Sequence, residues 1–194
     1  MLLNHKKIKF DDVRLKQEQW DNEMKAQHPG KGLPMWQDKS GMWFNESKAL
    51  LRYLGTIHGY YPKDAKIAWA CDKAVDNWEP MIDTVGGPLA FGTAGPDFLE
   101  KVYCAKYQEM CDMAKMMLTK IGGKFLCGDK LCIADFAFAS KYFNMVDNAN
   151  FAAGATFTDA GKAIFAKDPL VTRYIGDLRA ELKAWLDSRP ACPF

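Results

Sequence analysis

The stretch Gly32-Leu33-Pro34-Met35-Trp36-Gln37-Asp38-Lys39-Ser40-Gly41-Met42-Trp43-Phe44-Asn45-Glu46-Ser47, continuing to Tyr53, decides how the rest of the chain is read. Leu33-Pro34 stands between a flexible Gly30-Lys31-Gly32 loop and a β-like run, a setting that suits a cis peptide bond. Asp38-Lys39-Ser40-Gly41 has turn chemistry, so Met35–Gln37 and Met42–Phe44 are expected as the arms of a hairpin. After the hairpin, Leu50, Leu51, Leu54 and Ile57 recur at helical spacing, and Asn45-Glu46-Ser47 marks where that helix begins.

A helix N-terminus presents unpaired backbone N–H groups and a positive dipole end, so with the Ser47 hydroxyl it favours a carboxylate. Glu46 beside it offers the opposite sign and could accept hydrogen bonds from an ammonium group. Together they suit the head of a free α-amino acid. The same residues would also serve plainly, with Asn45 or Ser47 as a cap and Glu46 as a solvated first-turn acid.

The chain has 194 residues, 48% of them hydrophobic and 13% aromatic, enough for one domain or two small ones with a sizeable core. With 26% charged residues, a net charge of +2 and no long run of like charge, neither nucleic acid nor a membrane surface is implied as a partner. No apolar stretch approaches the ~20 residues of a spanning helix, and no signal-peptide core is evident, so a cytoplasmic protein is expected. The six cysteines show no C-x-x-C pair and no histidine at metal-ligand spacing, which argues against a zinc site and for reduced, buried thiols. His5, His28 and His58 lie beside turn residues and read as surface positions.

Along the chain, Met1–His5 looks like the last turn of a helix, Lys7–Leu15 alternates as an edge strand, and Gln17–Ala26 reads as a short polar helix or turn. Gly59 stops the helix after the hairpin, and Tyr60–Lys63 is a linker with Asp64 as the next N-cap. Everything beyond is helical in pattern. Ala65–Ile82 is broken by Gly86-Gly87-Pro88. Pro96 to Ile121 carries a methionine stripe that belongs to a core. Cys132 to Met145 is apolar nearly all round and should be central. Phe157–Lys167 and Leu170–Leu186 supply two more helices. The expected organisation is a small α/β unit over residues 1–59, a linker over 60–63, and an all-helical domain over 64–194.

These features, taken in order, resemble a glutathione transferase of the sigma, mu or alpha type. The resemblance rests on the Leu33-Pro34 hairpin, the Glu46-Ser47 pair, the Leu51-Arg52-Tyr53-Leu54 helix, the Tyr61-Pro62 linker, Phe125-Leu126-Cys127-Gly128-Asp129-Lys130-Leu131-Cys132-Ile133-Ala134-Asp135, and the terminal Ser188-Arg189-Pro190. It implies a thioredoxin-like N-terminal domain followed by an all-helical one, with glutathione as cosubstrate and a small apolar electrophile as its partner. By that resemblance, Leu33 before cis Pro34 would pair its backbone with the cysteinyl part of the peptide. Glu46 and Ser47 would hold the γ-glutamyl head, and Trp20 and Lys25 would serve the glycyl side. Glu79 would reach across a homodimer interface, and Tyr103, Tyr107 and Phe194 would wall the apolar pocket.

The family's opening strand, whose end carries the thiol-activating residue, has no counterpart in the sequence, so the thioredoxin-like unit is expected to be incomplete and no catalytic residue is assigned. About 15–20 residues ahead of Met1 would supply such a strand and most of a helix. Cys132 also stands where the family has a Ser or Thr cap. Two functions follow: conjugation of glutathione to small electrophiles if that opening segment is supplied, or a non-catalytic structural or binding subunit of a larger assembly.

Overall fold

The structure, a computed structural model, describes residues 1–28 and 32–191. The chain opens with one helical turn, α1 (Leu2–His5), from which Lys7 turns away at φ 59. His5 Nδ1 lies 2.6 Å from the Tyr60 hydroxyl and its Nε2 lies 3.7 Å from Glu181, so α1 is fastened to the interdomain linker and to the C-terminal helices. A continuous helical stretch follows, made of α2 (Gln17–Gln19), a π-helical turn (Trp20–Met24) and α3 (Lys25–Gln27).

Between these, the expected strand at Lys7–Leu15 does not form: residues 8–16 belong to no helix or sheet. Alternating side chains hold a strand only where a neighbour takes up its backbone N–H and C=O groups. Among the described residues the sheet has two strands only, β1 (Trp36–Gln37) and β2 (Trp43–Phe44), neither beside this segment. Ile8, Lys9 and Phe10 instead form one wall of a cleft of about 560 Å³ whose other wall includes Leu182, Ala184 and Trp185.

The hairpin is antiparallel, with Trp36 opposite Phe44 and Gln37 opposite Trp43. Its turn is built by Asp38, whose Oδ1 accepts from Ser40 N at 2.9 Å, Met42 N at 3.0 Å and Ser40 Oγ at 2.6 Å. That is the turn-forming competence of a short acidic side chain that bonds its own following backbone. The hairpin leads into α4 (Ser47–His58), which stops at Gly59 in the left-handed conformation at φ 82, where glycine carries no Cβ penalty.

The linker is anchored at both ends. Tyr60 N bonds Gly55 O, and Tyr60 O accepts the N–H of Ile133 at 3.0 Å, satisfying an otherwise unpaired donor at the start of α8 (Ile133–Met145). Asp64 caps α5 (Ala65–Trp78), accepting from Lys66 N and Ile67 N as its position suggested. Helical structure does not break at Gly86-Gly87-Pro88. It turns at Glu79-Pro80, then continues through a π-helical turn (Ile82–Gly86) into α6 (Gly87–Ala90), where Pro88 sits in the first turn and its missing N–H costs nothing.

A further π-helical turn (Leu99–Cys104) leads into α7 (Ala105–Lys120), and α9 (Ala155–Ala166), α10 (Pro169–Glu181) and α11 (Lys183–Ser188) complete the unit. The last two are separated at Leu182, where one long helix was expected. Helix α8 is central: Phe138 is wholly buried against Trp78, Tyr142, Phe165 and Tyr174. Each such side chain contributes about 1.5–3 kcal/mol on burial. Asp135 holds the start of α8, accepting from Cys132 N at 2.7 Å, Leu126 N at 3.1 Å and the Tyr174 hydroxyl at 2.9 Å. No helix of the described chain is long and apolar enough to cross a membrane.

Candidate functional site

The hairpin and α4 set the candidate site. Leu33-Pro34 is cis, as its context suggested, and Leu33 is more than half exposed. Its N–H and C=O have no hydrogen-bond partner among the described residues. Here is an open backbone edge of the kind that pairs with an extended peptide.

At the far end of the hairpin, Glu46 carries φ 64 and ψ 98, a backbone conformation that non-glycine residues rarely adopt. Its C=O accepts Leu50 N at 2.8 Å and starts α4, but no side chain caps the first turn. The N–H groups of that turn therefore remain available to an anion. Glu46 and Ser47 are both exposed beside them. Asn45 and Ser47 do not act as caps, which removes the plain structural role open to them in the sequence.

Ser47 Oγ instead donates to Glu79 Oε2 at 3.3 Å, and Glu79 Oε1 accepts from Lys141 Nζ at 3.3 Å. Within the single chain Glu79 meets Ser47: the turn at Glu79-Pro80 places its carboxylate beside the start of α4. Lys141 is the residue that sequence reasoning missed. Its side chain is only 2% exposed, and burial lowers its pKa against the opposing effect of Glu79. A lone lysine inside the apolar run of α8 was the available signal.

The other predicted positions fare differently. Trp20 is half-buried in the π-helical turn, and Lys25 is exposed with Nζ 3.9 Å from Asp21 of the same helical stretch, an ordinary surface pairing. Tyr103 and Tyr107 are wholly buried and so wall no open pocket. Their helix turns them into the core, where they stand with ring centroids 4.5 Å apart and the Tyr103 hydroxyl bonds Met145 O. Phe194 lies outside the described residues. His28 is buried edge-on to Trp43 at 4.6 Å and is no surface histidine, because the hairpin folds over it.

The described cysteines are free thiols, as expected, and Cys71, Cys111 and Cys132 are buried. Cys71, Cys127 and Cys132, far apart in sequence, come together, with their sulfurs all within 4.8 Å of one another. Clefts open at the surface of the described residues away from this site. Besides the one along α11, a cleft of about 400 Å³ is lined by Arg14, Asn148, Trp185 and Arg189 among others. Neither contains Leu33, Glu46 or Ser47.

Residues 1–57 match the family model for the glutathione S-transferase N-terminal domain. The whole chain is similar in structure to a glutathione S-transferase from Ascaris lumbricoides, at 22% identity and a TM-score of 0.79, covering 100% of this chain and 91% of that one. A monomeric glutathione S-transferase from the hookworm Necator americanus gives 20% identity and a TM-score of 0.81, with 100% and 91% covered. A Nu-class enzyme from Haemonchus contortus gives 23% and 0.78, with 100% and 90% covered. No curated protein matches the chain by sequence. The fold is that of the glutathione transferases, a thioredoxin-like unit followed by a helical domain.

Proposed function

We propose that this chain binds glutathione at the start of α4 and presents its thiol to small electrophiles. The observation that carries the reading is the uncapped first turn of α4, flanked by the strained Glu46 and by Ser47 held to Glu79. The γ-glutamyl carboxylate takes the first-turn N–H groups, and its ammonium faces Glu46 and Glu79. The peptide then runs toward Leu33, whose open N–H and C=O pair with the cysteinyl backbone. Trp20 and Lys25 stand on the helical stretch assigned to the glycyl end. Fold and family-model similarity to glutathione S-transferases support the choice of tripeptide.

Conjugation requires the glutathione sulfur to lose its proton, attack the electrophilic carbon and expel a leaving group such as halide. A thiol with a pKa near 8.5 needs a donor beside the sulfur to do this readily at pH 7. The one hydroxyl among the residues gathered here, Ser47, is engaged with Glu79, and this favours a second reading in which the chain binds glutathione without turning it over. Such a chain would act as a structural or binding subunit. Glu79 approaches Ser47 within one chain, so its carboxylate stands beside the first turn of α4.

Isothermal titration with glutathione tests recognition. Ser47→Ala and Glu46→Ala should each weaken binding by roughly 5-fold or more, the loss of one charge-assisted hydrogen bond. Unchanged affinity in both would remove the site from α4. Turnover of a generic aryl halide then separates transferase from binding protein.

A further inference from the structure

Cys71 sits inside α5, Cys127 in the loop after α7, and Cys132 at the N-cap of α8. All three thiols are free, the Cys71 and Cys132 sulfurs stand 3.7 Å apart, and no two of the three are separated by more than 4.8 Å. Three sulfurs bonded in a plane to one ion at about 2.3 Å lie about 4.0 Å from one another. The side chains need to move by tenths of an ångström only to reach that arrangement.

The surroundings hold the three sulfurs in place. Cys71 and Cys132 are buried on two long helices that pack against each other. The loop carrying Cys127 is closed by reciprocal bonds between Phe125 and Gly128, at 2.7 and 3.3 Å. Cys132 is the N-cap of α8, and its sulfur is fixed there by accepting the backbone N–H of Asp135. Asp135 is the nearby carboxylate, but its oxygens are taken up by Cys132 N, Leu126 N and the Tyr174 hydroxyl, so it anchors the site and does not serve as a fourth ligand. Cys127 is the least buried of the three and lies nearest the surface.

We infer that Cys71, Cys127 and Cys132 form a three-sulfur site for a soft metal ion, with Cu(I) the best fit. Structural zinc calls for four ligands, whereas thiolates in low coordination number select Cu(I). Each thiol that bonds the ion releases its proton to solvent. The site is independent of the glutathione reading and shares none of its residues.

The test is an anaerobic titration of the reduced, full chain with Cu(I), in competition with a chromophoric Cu(I) chelator and alongside a parallel titration with Zn(II). One equivalent of Cu(I) per chain should leave the chelator, and X-ray absorption should show three sulfurs at about 2.3 Å. Each of Cys71→Ser, Cys127→Ser and Cys132→Ser should weaken retention beyond the ~10–100-fold cost of losing an outer-shell partner. Cys104→Ser and Cys111→Ser should leave it unchanged. Cys132→Ser replaces the capping sulfur with a capping oxygen, and Cys127→Ser lies in a loop at a partly exposed position, so at least these two variants are expected to fold. Failure to withdraw Cu(I), retention unaffected by Cys127→Ser and Cys132→Ser, tighter binding of Zn(II), or a disulfide within the triad in place of metal uptake would overturn the assignment.

Discussion

The chain before the linker and the helical unit after it treat their apolar residues differently. Among the described residues of 1–58, only Leu2, His28, Leu54 and Gly55 are buried, while Phe10, Val13, Leu33, Met42, Tyr53 and Ile57 are exposed. In the helical unit nearly every side chain of α8 is buried, including the charged Asp135 and Lys141. The N-terminal region therefore draws much of its stability from docking on the helices, through His5 to Tyr60, Arg52 to Asp72, and Tyr60 to Ile133. Recognition is assigned to the loosely packed region and fold stability to the dense one. That division can be broken by substitutions on either side of it.

The largest effect is expected in the dense region. Asp135→Ala leaves the buried N–H groups of Leu126 and Cys132 and the Tyr174 hydroxyl without their acceptor. The expected cost is about 3–5 kcal/mol, or a fall in Tm of roughly 10 °C by differential scanning calorimetry. Burial pushes the Asp135 carboxyl up to about 6, against hydrogen bonds from Cys132, Leu126 and Tyr174. A folded pKa above the unfolded 3.8 means that this contribution is fully present below pH 3.8 and is lost as pH rises through about 6. The stability gap between the chain and Asp135→Ala should accordingly be wider at pH 4 than at pH 7, and a gap that narrows on acidification would contradict this.

The seam between the regions comes next. A Cβ at Gly55 would stand 2.2 Å from Ile133 Cγ2, a side chain with no exposed surface. Alanine gains about 1 kcal/mol over glycine in a helix, but overpacking a core contact typically costs about 1–3 kcal/mol. Gly55→Ala should therefore destabilise the chain by up to about 2 kcal/mol, read as a lower urea midpoint. If it stabilised the chain, α4 would not be seated on α8 as described.

Much of this division was legible in the sequence because its signals are local. Asp38-Lys39-Ser40-Gly41 predicted the hairpin, Asp64 the start of α5, and the continuous apolar run the central place of α8. What failed depended on distant partners. Lys7–Leu15 has the alternation of a strand, but alternation does not supply the neighbour that a strand requires. The resemblance assigned Tyr103 and Tyr107 to an open pocket, and nothing local showed that Phe157 of α9 would close over Tyr103. Cys71 and Cys132 are 61 residues apart, so no spacing rule could join them. Lys141 is the one lysine in an apolar run, but no local signal pairs it with Glu79.

The smallest stability effect is the most informative about the site. Ser47 is exposed, caps nothing, and its one bond to Glu79 is long at 3.3 Å. Its removal leaves the Glu79 carboxylate still paired with Lys141. Ser47→Ala should consequently shift unfolding by less than about 0.5 kcal/mol, as surface substitutions usually do. A hydroxyl that stabilised α4 as an ordinary cap would cost about 1 kcal/mol on the same change. Measured by urea unfolding next to the glutathione titration, Ser47→Ala tells the two roles apart: a cap lowers the midpoint and spares affinity, whereas a ligand residue spares the midpoint and lowers affinity.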